Sequence, residues 1–122
     1  MQHIPVLYQA VLDLLNPVSG GQYIDGTLGA GGHTKGILIA SSPEGKVAGF
    51  DRDPQALALA KHNLTDFGER VIFINDSYRN FKSHLNNLNW QCVNGILLDL
   101  GISSMQLDTP ERGFSFREDG PL

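Results

Sequence analysis

Four of the nine residues from Asp25 to His33 are glycine, and this stretch, Asp25-Gly26-Thr27-Leu28-Gly29-Ala30-Gly31-Gly32-His33, constrains the fold more than any other. Glycines at that density allow φ values closed to other residues and let the backbone pass close to a ligand. A short apolar run precedes the stretch and a helical pattern comes after it, so it reads as a turn from a strand into a helix. The unit recurs. Short apolar runs and helical patterns alternate along the chain, the sequence form of repeated βα units on a parallel sheet. Strands are expected near Gln22 to Asp25, Val47 to Phe50, Val71 to Asn75 and Gly95 to Asp99. The helices between them are expected near Thr34 to Ala40, Pro54 to Asp66 and Tyr78 to Leu88.

Ahead of the first strand, Val6, Leu7, Ala10, Val11, Leu14 and Leu15 recur at helical spacing up to Asn16-Pro17, which predicts an amphipathic lead helix. Asp53 before Pro54 predicts a helix start, because its carboxylate can cap exposed amides and proline needs no amide hydrogen at the first helical position. Beyond Asp99 the periodicity fades, and the tail reads as a long functional loop. The fold class is therefore α/β, a doubly wound sheet of about four parallel strands in order 3-2-1-4. Strands are missing from such a count, and the fourth would be left as an edge whose apolar run Ile96-Leu97-Leu98 invites self-association.

A chain of 122 residues with 41% hydrophobic residues can fill one core. Its single cysteine, Cys92, allows no internal disulfide and reads as a small packing residue. No basic leader or long apolar run opens the chain, so a cytoplasmic protein without membrane insertion is expected. The net charge of -4 argues mildly against a nucleic-acid partner, since such proteins commonly carry a basic surface.

Chemistry enters through the glycine turn together with Asp51, which lies 22 positions beyond Gly29 at the end of the second strand. A carboxylate there can accept both hydroxyls of a ribose, so a nucleotide-like cofactor is implied; the alternative is a tight turn with no ligand. A dinucleotide fingerprint starting at Gly29 would need glycine or alanine where Thr34 stands. A phosphate-binding loop would need lysine and a hydroxyl residue where Ile37 and Leu38 come after Gly36. S-adenosylmethionine, which has a ribose and no phosphate, remains.

Tyr78 lies just past the third strand, where an adenine would lie, with Asp76 or backbone groups at its edge. A core tyrosine at a strand-end turn is the equal alternative. Asp99, ending the fourth strand beside the switch-point crevice, is the candidate catalytic residue, although a carboxylate there can also cap the next turn of the chain. Gly101-Ile102-Ser103-Ser104-Met105 lacks the second glycine of a nucleophile elbow. His3, His33, His62 and His84 do not combine with Cys92 at metal-ligand spacing, so no metal is expected.

Several blocks carry a more specific signal: His3-Ile4-Pro5-Val6-Leu7, the glycine turn, Asp51-Arg52-Asp53-Pro54, Leu98-Asp99-Leu100-Gly101-Ile102-Ser103-Ser104, and Glu111-Arg112-Gly113-Phe114-Ser115-Phe116-Arg117. In these the chain resembles the RsmH (MraW) family of bacterial 16S ribosomal RNA cytidine N4-methyltransferases. The resemblance implies a Rossmann-like class I methyltransferase and S-adenosyl-L-methionine as cofactor. It also implies contacts from Gly31, Gly32 and His33 at the turn, Asp51 at the ribose, Tyr78 at the adenine, and Asp99 and Gln106 near the methionine end.

The implied partner is 16S rRNA of the small ribosomal subunit, methylated in its decoding region. On this resemblance residues 1–122 are the N-terminal part of the domain, without the family's inserted helical substrate domain and C-terminal strands. Their absence accounts for the missing basic surface. Arg112, Phe114, Phe116 and Arg117 alternate charge and ring as a base-stacking, phosphate-holding loop would, or fold back on the domain. The alternatives are a non-catalytic cofactor-binding fragment and an amine methyltransferase acting on another nucleic acid.

Overall fold

The structure, a computed structural model, describes residues 6–98, 101–103, 105–107 and 116–118, and side chains within residues 8–98. In chain order, α1 (Val6–Leu15) precedes β1 (Gln22–Asp25), α2 (Gly32–Ala40), β2 (Lys46–Phe50) and α3 (Pro54–Asn63). Then come β3 (Val71–Ile74), α4 (Phe81–Leu88), β4 (Gly95–Leu98), β5 (Gly101–Ser103), β6 (Met105–Leu107) and β7 (Phe116–Glu118).

The five-stranded sheet has the order β3-β2-β1-β4-β5. Its first four strands are parallel, as expected, with Tyr23 opposite both Val47 and Gly95. Side chains alternate between its faces. Tyr23, Val47, Val71 and Leu97 pack with Val11, Leu15, Ile37, Leu38, Leu57 and Leu64 from α1, α2 and the α3 segment. Ile24, Ala48, Phe50, Ile74 and Ile96 pack on the opposite side with Leu85, Trp90 and Val93, around α4. Burial on both faces explains why these strands read as continuous apolar runs. Each fully buried Val, Leu, Ile or Phe contributes about 1.5 to 3 kcal/mol, so the two clusters dominate the stability of the scaffold.

Helix boundaries obey local chemistry. Asn16, with φ of 48°, ends α1 in the left-handed conformation, and its amide donates to Leu12 O at 2.9 Å. Asp53 caps α3 as expected, accepting from the Gln55 amide at 2.9 Å, with Pro54 in the first turn. That helix ends earlier than the expected Asp66. Thr65 Oγ1 donates to the Lys61 and His62 carbonyls, and a 3-10 segment, Thr65–Arg70, takes over. Likewise Tyr78–Asn80 is a 3-10 turn capped by Ser77, and the α-helix begins only at Phe81.

Three expectations need correction. The tail contains three short strands rather than loop alone, and β5 pairs antiparallel with β4, Leu98 opposite Gly101 and Ile96 opposite Ser103. The outer edge of β4 is therefore not bare, which removes the premise for self-association along that run. Cys92 is exposed rather than packed, because the chain there buries its neighbours Trp90 and Val93 instead.

Candidate cofactor site

At the carboxyl ends of the parallel strands the turns diverge on either side of β1, because β2 lies to one side of it and β4 to the other. A cleft of about 840 Å³ opens there, lined by Gly26, Thr27, Gly29, Phe50, Asp51, Asp76, Ser77, Tyr78 and Leu98, with Arg52, Asp53 and Arg79. This is the size class of small-molecule sites, at the position where open α/β sheets bind ligands.

The glycine turn is held by three hydrogen bonds, one to β4 and two to the end of β2. Gly26 N donates to Leu97 O at 2.8 Å, Leu28 N to Phe50 O at 3.2 Å, and Gly29 N to Asp51 Oδ2 at 3.0 Å. Gly29 and Gly31 have φ of 52° and 92°. A Cβ on Gly31 would also sit 2.8 Å from Leu64 Cδ1, so this glycine lets α2 lie close against the end of α3.

Beneath the turn lies Asp25, fully buried at the end of β1. Its Oδ2 accepts from Thr34 Oγ1 at 2.6 Å, and its Oδ1 accepts from the Thr27 amide at 2.9 Å and from Thr27 Oγ1 at 3.3 Å. Burial pushes its carboxyl above the ordinary value of 3.8, outweighing the lowering effect of those hydrogen bonds. The sequence pattern marks Asp25 only as the start of the motif. A carboxylate closing an apolar strand, with Thr27 and Thr34 after it, is the available signal for this brace.

Asp51 stands at the cleft wall with both oxygens oriented, Oδ2 by the Gly29 amide and Oδ1 by the Asp53 amide at 2.9 Å. An ionised carboxylate has about four acceptor positions, so each oxygen keeps one to offer. Tyr78 adds ring surface to the lining and also packs against the core cluster on the α4 side, where the Phe50 ring is fully buried. Both readings of Tyr78, core residue and cleft residue, thus describe the same side chain. Asp76 takes the Ser77 amide at 2.7 Å and Asn80 Nδ2 at 2.8 Å on Oδ1, and His84 Nε2 at 2.9 Å on Oδ2. The hydrogen bond from His84, and after it that from Asn80, holds its carboxyl below the ordinary carboxylate range.

The structure thus brings Asp51 and Tyr78 to one cleft with Gly26 and Gly29. Gly31, Gly32 and His33 lie at the start of α2 outside that lining. Gly31 is buried, Gly32 faces open space, and His33 stacks on Tyr8 with ring centroids 5.5 Å apart. Asp99 lies outside the described residues, although its chain neighbour Leu98 lines the cleft. Gln106 belongs to β6, and its side chain is outside the described set, as are Arg112 and Phe114.

The donor and acceptor set fits an adenosyl sulfonium compound. Oriented carboxylate acceptors suit ribose hydroxyls and an exocyclic amine. Three aspartates against two arginines leave the lining acidic, which favours a cationic ligand over a phosphate. No helix of the described residues is long and apolar enough to cross a membrane.

The MraW methylase family matches residues 1–122. Ribosomal RNA small subunit methyltransferase H of Nitratidesulfovibrio vulgaris is 48% identical over 120 residues, covering 98% of this chain and 33% of the relative. The protein of the same name from Geobacter sp. strain M21 is 50% identical over 120 residues, with coverages of 98% and 38%. The chain therefore spans about a third of the length of the curated relatives it matches.

Among solved structures, an rRNA methylase from Streptococcus thermophilus superposes with a TM-score of 0.56 at 24% identity, covering 80% of this chain and 55% of that one. A methyltransferase homologue from Pyrococcus horikoshii gives 0.60 at 26% identity, with coverages of 75% and 28%. The fold is that of the Rossmann-like class I methyltransferases.

Proposed function

This chain belongs to the MraW methylase family, and from that premise we propose that it forms the cofactor-binding N-terminal part of an S-adenosyl-L-methionine-dependent methyltransferase acting on 16S rRNA of the small ribosomal subunit. The observation that carries the reading is Asp51, held by the Gly29 amide with an acceptor position left on each oxygen. Two vicinal ribose hydroxyls are the ligand feature that uses both. Tyr78 borders the adenine, and Asp76 meets its amine edge. As the family resemblance implies, Gly31, Gly32 and His33 contact the cofactor from the glycine turn, and Asp99 and Gln106 serve its methionine end.

Bound there, the cofactor supplies a methyl group on a positively charged sulfur. The acceptor is the N4 amino group of a cytidine in the decoding region, the specificity that the family resemblance implies. Its lone pair is delocalised into the ring, so transfer requires a hydrogen-bond acceptor on the amine and an in-line approach. The candidates for the acceptor role are Asp99, directly after the Leu98 that lines the cleft, and carbonyls of residues 100–104. The target base is unstacked to reach the crevice. The work takes place in the cytoplasm, where small subunits mature. Mass analysis of rRNA from cells lacking the gene is expected to show loss of one methyl group at a cytidine. Undiminished methylation of every cytidine in that RNA would refute the assignment.

A further inference from the structure

His84 has no role in the sequence pattern beyond not being a metal ligand, yet among the described residues it is the one side chain on Oδ2 of Asp76. The local geometry is specific. Asp76 leaves β3 at the cleft rim, and the 3-10 turn Tyr78–Asn80 delays the start of α4, so a residue in the middle of that helix reaches back across eight positions. The His84 and Phe50 rings meet edge to face at 78° with 5.6 Å between centroids, and Phe50 is fully buried at the end of β2. The imidazole is thus fixed by packing on one side and hydrogen-bonded on the other.

Counting acceptor positions shows what this does. Oδ1 of Asp76 is filled by the Ser77 amide and Asn80 Nδ2. Oδ2 holds His84 and keeps one position, and Asp76 lines the cleft. An ionised carboxylate only accepts, so His84 Nε2 carries the proton of this hydrogen bond. The remaining position can take an N–H donor and repels a carbonyl oxygen. An amino-bearing purine is thereby distinguished from its deaminated, oxo-bearing counterpart.

We propose that His84 is a positioning residue for base selection, fixing the Asp76 carboxylate so that its last acceptor position receives the exocyclic amine of adenine and excludes hypoxanthine. The inference rests on the reading of this cleft as an S-adenosylmethionine site.

The test is calorimetric binding of S-adenosylhomocysteine and of S-inosylhomocysteine to the full gene product that carries this chain. The wild type is expected to prefer the adenine compound. Asp76→Asn, which presents a donor to the hypoxanthine oxygen, reduces or inverts that preference. His84→Leu lowers it about threefold to tenfold, the worth of one ordinary hydrogen bond, with affinity for the inosyl compound unchanged. His84→Gln, whose amide reaches as Nε2 does, restores most of it. His84→Phe keeps a ring against Phe50 without a donor to Asp76; it shows the same loss as His84→Leu and replaces that variant should it fail to fold.

Equal wild-type affinity for the two compounds, or an unchanged preference in Asp76→Asn, would overturn the adenine assignment and this role with it. A preference lost in Asp76→Asn but intact in both His84→Leu and His84→Phe would overturn the role of His84 alone.

Discussion

The two ends of the parallel sheet both carry a polar cavity, and they differ in what their polar groups have left to offer. At the amino end of the strands, a cavity of about 510 Å³ is lined by Gly20, Gln22, Pro43, Glu44, Lys46, Glu69 and Arg70. Its principal cation is occupied with structure, since Arg70 Nε donates to Gly45 O at 2.8 Å and Nη2 to Leu38 O, tying the end of α2 to the start of β2. At the carboxyl end, Asp51 and Asp76 are also hydrogen-bonded, yet each retains acceptor positions beside ring surface. The carboxyl-end cleft is the larger of these two and is the candidate site. Oriented hydrogen-bonding capacity that the fold itself does not consume marks it.

The contrast can be broken most forcefully at Gly31, which belongs to the glycine turn and yet answers to packing. Gly31→Ala forces a Cβ at φ of 92° against Leu64. Strain and overpacking together predict about 2 to 4 kcal/mol lost in chemical denaturation. A variant of undiminished stability that bound cofactor poorly would move Gly31 from bracing to binding.

Arg70→Met sharpens the comparison from the other end. Losing the guanidinium takes the Arg70 donor from the Gly45 carbonyl and leaves the Leu38 carbonyl with Ser42 Oγ, and stability is expected to fall by about 1 to 3 kcal/mol. Cofactor affinity should stay within about twofold of wild type, because a structural hydrogen bond at the far end of the sheet contributes nothing to the ligand. Cofactor affinity that fell along with stability would mean that the far cavity is coupled to the cleft.

A smaller effect is expected from Asp25→Asn, and it is read as a pH profile. Burial raises the carboxyl of Asp25 above 3.8, so the folded protein holds that proton more tightly than the unfolded chain does. The protonated form favours folding, and the wild type loses stability relative to Asp25→Asn as pH rises from 3.8 through the raised value. Parallel denaturation profiles for the two proteins over that range would show that Asp25 is solvated like a surface carboxylate.

Much of the scaffold was legible because its strands are buried on both faces and its turns carry strong local chemistry. The Asp53-Pro54 pair marked the start of α3, and β1 to β4 fell within a residue of their expected bounds. The short strands β5, β6 and β7 were not legible, for three residues are too few to show alternation among glycine, serine and proline. At the site, Asp51 could be found from its spacing to Gly29. The ties of Asp25 to Thr34 and of Asp76 to His84 could not, because each depends on how a turn folds back rather than on any repeat along the chain. Cys92 shows the same limit, since burial in that irregular segment passes to Trp90 and Val93.

The central claim, that the cleft holds the ribose of S-adenosylmethionine on Asp51, is tested most directly by titrating the cofactor calorimetrically into the full gene product and its Asp51→Ala variant. Loss of a hydrogen bond to a charged acceptor is worth about 1.5 to 3 kcal/mol, so the account predicts affinity weakened roughly tenfold to a hundredfold in a variant that remains folded. Equal affinity of the two proteins would contradict it.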